Sequence, residues 1–280
     1  MRSGAGERDG TDMWEVALPE RPLQVPGVQM AGFRDRGVVP IDLRVIPQPA
    51  VSLALEFGAG MPFVEQDGGW QLRGSIVAGL GAGASGAVRV RGGSYEGVQV
   101  RLSPLVARAA LGVSPAELDG AVFGLEELWG REASRIREWL DNASTWEQRF
   151  ALTDALLARR IAEGPAVDAE VGWAWRRIVA SQGVVKVEGL ATEVGWSRKR
   201  LWARFQAQIG LPPKRAADLV RFDHAVHRLT AGEPATLVAA ESGYADQSHL
   251  HRDIVARTGA TPVTVVGDPW LEVDDVAWSD

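Results

Sequence analysis

Two stretches of this chain carry side chains suited to reading polar edges by hydrogen bonding. The first is SRKRLWARFQAQIG (197–210), with Arg198, Lys199 and Arg200; the second is DQSHLHRDIVARTG (246–259), with Gln247, Ser248, His249, His251 and Arg252. Arginine and lysine present donors that suit guanine O6 and N7, and glutamine pairs a donor with an acceptor as adenine N6 and N7 require. On a 3.6-residue wheel Leu201, Phe205 and Ile209 form one apolar stripe, opposite Lys199, Arg200, Ala203 and Gln206. In the second stretch Leu250 and Ile254 are the stripe, Ser248, His249 and Arg252 lie opposite, and Gln247 sits in the exposed first turn. Arg198, Arg204, Lys214 and Arg215 are better placed as phosphate contacts, which position without specifying sequence. Trp202 borders the polar side and suits either a sugar–phosphate contact or a cover for the core rim.

The elements that must hold these side chains are written twice. Ala191, Glu193 and Gly195 recur 48 residues later as Ala239, Glu241 and Gly243, and Leu201, Gly210 and Pro213 recur 49 residues later as Leu250, Gly259 and Pro262. One residue has been inserted in the turn, and the period marks an internal repeat. Each copy reads as a short helix, a glycine-containing turn and a second helix, with Ser197 and Asp246 as N-caps of the second helices. A helix spanning 213–231, opened by Pro213 and stopped by Gly232, joins the copies.

Charge follows the same division. The chain of 280 residues has a formal net charge of −6, but residues 183–265 carry 11 Lys+Arg against 8 Asp+Glu, leaving the remainder at −9. All three lysines and all four histidines lie inside 183–265. A local basic face is what phosphate contacts need, whatever the total.

Several chemistries are set aside. With no cysteine there are no disulfides, thiolate metal sites or cysteine nucleophiles. Residues 1–180 have no histidine, so no Ser/His/Asp set forms there and no catalytic residue is assigned. His249 and His251, two apart on a helix, point away from each other and cannot chelate together, and His224 and His227 lack a supporting acid or cysteine set. No metal and no cofactor are expected. Gly81-Ala-Gly83-Ala-Ser-Gly86 spells a dinucleotide-type glycine pattern, but a β-like stretch follows in place of a helix, so a loop is the better reading. No apolar run approaches membrane-spanning length, and the expected location is cytoplasmic.

Ahead of the repeat, short apolar runs at 38–46, 51–57, 75–80, 87–91 and 95–102, separated by Gly/Pro turns, predict a β-rich, barrel-like region. Arg44, Glu56, Glu65, Arg73 and Arg89 could anchor a ligand there or be strand-exposed charge. The pattern becomes helical near Ser103-Pro104. Ser114–Glu117 and Ser144–Glu147 read as capping boxes, and helices are predicted after 144 and over 167–183. Trp129, Trp139 and Trp146 fall in this middle region, and of Trp173 and Trp175 only one can face the core.

The combination LATEVGWSRKRLWARF, IGLPPKR and SGYADQSHLHRD…TGATP resembles the DNA-binding domain of AraC/XylS-type transcription regulators. The likeness is strong over 183–265, and weaker through 100–130, which looks like the end of a sensor domain found on some members. The resemblance implies an all-α domain with two helix-turn-helix motifs that insert into successive major-groove segments about one turn (~34 Å) apart. It implies double-stranded DNA and RNA polymerase as partners, and an activator or repressor that is not an enzyme. The appended β-rich domain points to control by a small-molecule effector, with a controlling partner protein as the alternative, and a homodimer is left open. The expected plan is a disordered tail (1–13), a β-rich sensor or dimerisation domain with a helical extension (14–182), the DNA-binding domain (183–265) and an acidic tail (266–280). Two positions depart from the family: Ala203 stands where an arginine is usual, and Ile254 where an aromatic is usual.

Overall fold

A computed structural model describes residues 13–37, 40–60, 63–66, 70–83, 88–118 and 120–278. Of the expected disordered tail, all but Met13 lies outside these residues. The β-rich region is built from β1 (Trp14–Ala17), β2 (Val28–Asp35), β3 (Ile41–Arg44), β4 (Val51–Glu56), β5 (Phe63–Gln66), β6 (Trp70–Arg73), β7 (Ile76–Ala78), β8 (Arg89–Gly92), β9 (Glu96–Leu102) and β10 (Val122–Gly124). The barrel-like expectation is refined here: the described strands form two antiparallel sheets, not a closed barrel. One has the order β1-β2-β9-β4-β7-β10 and the other β3-β8-β5-β6.

Strand alternation sets the core. Along β4 and β9, Val51, Leu53 and Leu55 and Val98, Val100 and Leu102 are buried together, as period-2 side chains on one face require. That face receives helices α1 (Pro104–Leu111) and α5 (Trp146–Glu163), which bring Ala107, Ala110, Leu111, Phe150 and Leu157 into the same apolar cluster. Between them run α2 (Pro115–Leu118), α3 (Leu125–Trp129) and α4 (Arg131–Asn142). Ser114 N donates to Glu117 Oε1 at 3.1 Å, as its capping box requires. The second expected box does not form: Thr145, not Ser144, caps α5, accepting from Gln148 N at 3.2 Å, while Gln148 Oε1 accepts from the N–H of Ser144, the residue before the cap, at 2.9 Å.

The helical half comprises α6 (Ala169–Ala180), α7 (Val187–Glu193), α8 (Arg198–Ile209), α9 (Pro213–Thr230), α10 (Ala235–Glu241), α11 (Gln247–Thr258), α12 (Pro262–Val266) and α13 (Pro269–Trp278). Helix α6, read as part of the sensor extension, packs on α8 and α9, with Trp175 buried beside Ile178. Residues 269–278, read as acidic tail, form α13, which lies against β1 and β2. Its Val273 and Ala277 join Trp14, Phe33 and Tyr95 in a separate cluster. Asp274 pairs with Arg101 at 2.5 Å, and the Arg101 guanidinium stacks over Trp278 at 4.3 Å. Among the described residues no helix is long and apolar enough to cross a membrane.

Candidate nucleic-acid interface

The two copies of the repeat fold alike, and their closing hydrogen bonds and second-helix caps correspond although the second turn is one residue longer. In the first, Trp196 N donates to Ala191 O at 2.9 Å to close the turn after α7; in the second, Tyr244 N donates to Ala239 O at 3.0 Å after α10. The caps of the second helices also correspond. Ser197 Oγ accepts from Arg200 N at 3.2 Å, and Asp246 Oδ1 accepts from His249 N at 2.7 Å, each satisfying an orphan amide of the first turn. Each helix ends on a glycine in the left-handed region, Gly210 at φ 100° and Gly259 at φ 66°, whose N–H returns to Gln206 O and Val255 O. A Cβ is disfavoured at such angles, which explains why glycine recurs there.

The apolar stripes are buried as the wheel requires: Leu201, Phe205 and Ile209 in α8, Leu250 and Ile254 in α11. The opposite faces are open. Arg198, Lys199, Arg200 and Arg204 on α8, Lys214 and Arg215 on α9, and Gln247, Ser248, His251 and Arg252 on α11 are all exposed. Trp202 and His249 are half-buried. Trp202 packs against the large apolar cluster, so it covers the core rim. His249 is tied to its own turn: its Nδ1 accepts from Ala245 N at 3.3 Å and its ring meets Tyr244 edge-on at 5.2 Å. Arg200 lies over the Trp196 ring at 4.2 Å, and Arg252 Nε donates to Ser248 O at 3.2 Å.

One expected phosphate contact is otherwise engaged. Arg204 forms a two-point pair with Asp168, Nε to Oδ2 at 2.7 Å and Nη2 to Oδ1 at 2.8 Å. That hydrogen bond holds the Asp168 carboxyl below its ordinary value. Asp168 also donates its backbone N–H to Gln208 Oε1 at 2.8 Å, fastening α8 to the start of α6. Neither Asp168 nor Gln208 was singled out from sequence. Gln208 lies three residues beyond Phe205, on the edge of the apolar stripe, and a polar residue there was the available signal.

The β-rich half touches both units. Against the first, Ser114 Oγ donates to Ala207 O at 3.1 Å, and a Cβ at Gly210 would stand 2.8 Å from Pro115 O. Against the second, Arg44 Nη1 donates to Thr258 O at 2.5 Å, placing a cation on the otherwise orphaned last carbonyls of α11. Of the other charged residues in the sheets, Glu65 pairs with Arg91 and Arg89 with Asp42, both half-exposed. Arg73 lies over Phe63. Glu56 is buried, and burial pushes its carboxyl up to about 7. Residues 81–83 form a turn, and Gly86 of that glycine pattern lies outside the described residues. His224 and His227 line a cleft between α9 and the large sheet, where burial lowers His224.

Residues 190–266 match a protein-family model described as a helix-turn-helix domain. Comparison with curated proteins gives no match. Among solved structures, ToxT from Vibrio cholerae O395 aligns with a TM-score of 0.48 at 9% identity, over 86% of this chain and 98% of that one. Wild-type ToxT from Vibrio cholerae strain SCE256, bound to an unsaturated fatty acid, aligns with a TM-score of 0.47 at 9% identity, over 89% and 97%. The AraC-like transcriptional activator CuxR aligns with a TM-score of 0.31 at 16% identity, over 84% and 92%.

Proposed function

The chain carries a helix-turn-helix DNA-binding domain of the AraC type at residues 190–266, and from that premise we propose that it is a sequence-specific transcription regulator controlled by a small molecule taken up in its β-rich half. One observation carries the DNA-reading part. Two helices, capped and closed identically, expose the N-terminal turns that a helix in the major groove offers to base edges. Lys199 and Arg200 in the first unit and Gln247, Ser248 and Arg252 in the second read bases. Arg198, Lys214 and Arg215 hold phosphates, with His251 at the flank of the second helix. Arg204, paired to Asp168, braces α8 and serves DNA only if that pair opens.

Control by the β-rich half is supported by its contact with both units, through Pro115 to α8 and through Arg44 to α11. A ligand that favours one arrangement of these contacts shifts the population able to bind two groove segments together. Selection of duplexes from a random pool by the full-length chain tests the reading. Enrichment of two half-sites about one turn (~34 Å) apart is expected. Retention without sequence enrichment would overturn it.

A further inference from the structure

Strand alternation places Ser52, Ala54 and Glu56 of β4 and Gln99 of β9 on the face turned away from the main core. A half-solvated antiparallel sheet would show that face to water. Here the small sheet and α13 lie over it, leaving a partly open cavity of about 120 Å³. Aliphatic side chains of both sheets line it, among them Leu43, Val64, Leu72 and Ile76. Within this apolar chamber Glu56 Oε1, Ser52 Oγ and Gln48 Oε1 are buried without hydrogen-bond partners. The Tyr95 hydroxyl is buried beside Gln99 without reaching hydrogen-bond geometry. Buried polar atoms are nearly always satisfied, so four orphans around one cavity call for an occupant.

Charge decides which occupant. Among the described residues that line the cavity, Arg44, Glu56 and Asp274 can carry a charge near neutral pH. Arg44 is bonded to the Thr258 carbonyl and Asp274 to Arg101, whereas one oxygen of Glu56 has no partner. An anion would add to the charge of the Glu56 carboxylate, whereas a cation carrying N–H donors would meet its bare oxygen and satisfy the neighbouring acceptors. The size points to a small body, since an apolar cavity of about 150 Å³ holds one benzene ring.

We propose that the cavity between the two sheets is a binding site for a small apolar amine, with the ammonium group paired to Glu56 and the hydrocarbon among the aliphatic walls. This deepens the effector reading above and rests on it only for consequences at DNA.

The groups that face Glu56 set the pH dependence. Arg137 from α4 and Arg73 from β6 act on it as cations, Gly74 N–H donates to it, and Tyr95 lies on its other side. Burial outweighs them and raises the carboxyl to about 7. The ammonium needs the ionised carboxylate, so protons compete with it below neutrality. An amine of lysine-like basicity stays charged throughout, and binding at pH 6 should be about tenfold weaker than at pH 8.

The test is calorimetric titration of the full-length chain with benzylamine, benzyl alcohol and benzoate at both pH values, for the wild type and Glu56→Gln. Benzylamine should bind at millimolar or lower concentration, more tightly at pH 8, and about tenfold or more in preference to the other two probes. Glu56→Gln should abolish the preference and the pH dependence. If that variant fails to fold, the wild-type pH and probe comparisons decide alone. Benzoate or benzyl alcohol binding as well as benzylamine, pH-independent binding, or no benzylamine binding would overturn the proposal. Repeating operator binding with benzylamine present separates the two readings. Glu56-dependent binding without effect on DNA leaves the site intact and removes its role as effector site, while loss of sequence enrichment removes the regulator reading alone.

Discussion

The two helix-turn-helix units have matching side-chain caps and glycine termini on their second helices, yet they are embedded differently. The first shares one apolar cluster with the large sheet: Leu201, Phe205 and Ile209 belong with Leu53, Val98 and Leu111. The second has its own cluster, in which Leu250 and Ile254 meet Phe222, Val226 and Leu229. Helix α9 crosses the divide, with Val220 in the first cluster and Phe222 in the second. Helix α8 is therefore part of the β-rich body, whereas the second unit meets that body through the Arg44 hydrogen bond, the partly buried Ile46 and Leu271 of α13. Sequence equivalence does not confer mechanical equivalence: the first unit shares its core with the large sheet and the second does not.

The strongest test removes one core side chain from each unit. Phe205→Ala should cost about 3–5 kcal/mol and Ile254→Ala about 2–5 kcal/mol in denaturant titrations. Hydrogen exchange should distinguish them. Phe205→Ala is expected to loosen amides in β4 and β9, and Ile254→Ala only those of α10 to α12. Identical exchange patterns would break the comparison.

The base-reading faces come next. Lys199→Ala and Arg252→Ala should each weaken specific binding by about 1–3 kcal/mol and relax preference in their own half-site. Arg215→Ala should weaken all sequences alike and lower the salt slope by about one. Uniform loss from all three would show that base reading and phosphate anchoring are not divided as proposed.

Arg44→Ala addresses the tether. Loss of its bond to the Thr258 carbonyl should destabilise the second unit by about 1–2 kcal/mol, read as faster amide exchange at the end of α11 with α8 unchanged. The smallest effect belongs to the Asp168–Arg204 pair, which is half-exposed. The Asp168 carboxyl is lowered by Arg204, so the pair is present above the ordinary aspartate range and lost as pH falls through the lowered value. Asp168→Asn should release Arg204 at neutral pH and steepen the salt slope of non-specific binding by about one. An unchanged slope would show that Arg204 does not reach phosphate even when freed.

Much of the helical half was legible because its signals are local. Ser197, Asp246, Gly210 and Gly259 act on backbone groups within four residues, and the stripes of α8 and α11 follow from helical period alone. Strands were harder to read. β2 breaks its apolar alternation at Ala31-Gly32, where a Cβ on Gly32 would stand 2.4 Å from the Trp146 ring, so its pattern reflects a distant indole. β10 is three residues long and pairs with β7 across a wide sequence gap.

The chain's own order of residues determined that it holds two helix-turn-helix units, where each begins and ends, and which side chains they expose. Those properties depend on hydrogen bonds and periodicities that span a few residues. Tertiary structure alone decided that Arg204 is paired, that 269–278 is a helix, and that one unit is built into the body while the other is tethered. It also decided that Glu56, on what alternation makes a sheet's outer face, is buried. Burial and pairing depend on which distant segments cover a residue, and no local spacing encodes the arrival of a second sheet or a returning C-terminal helix.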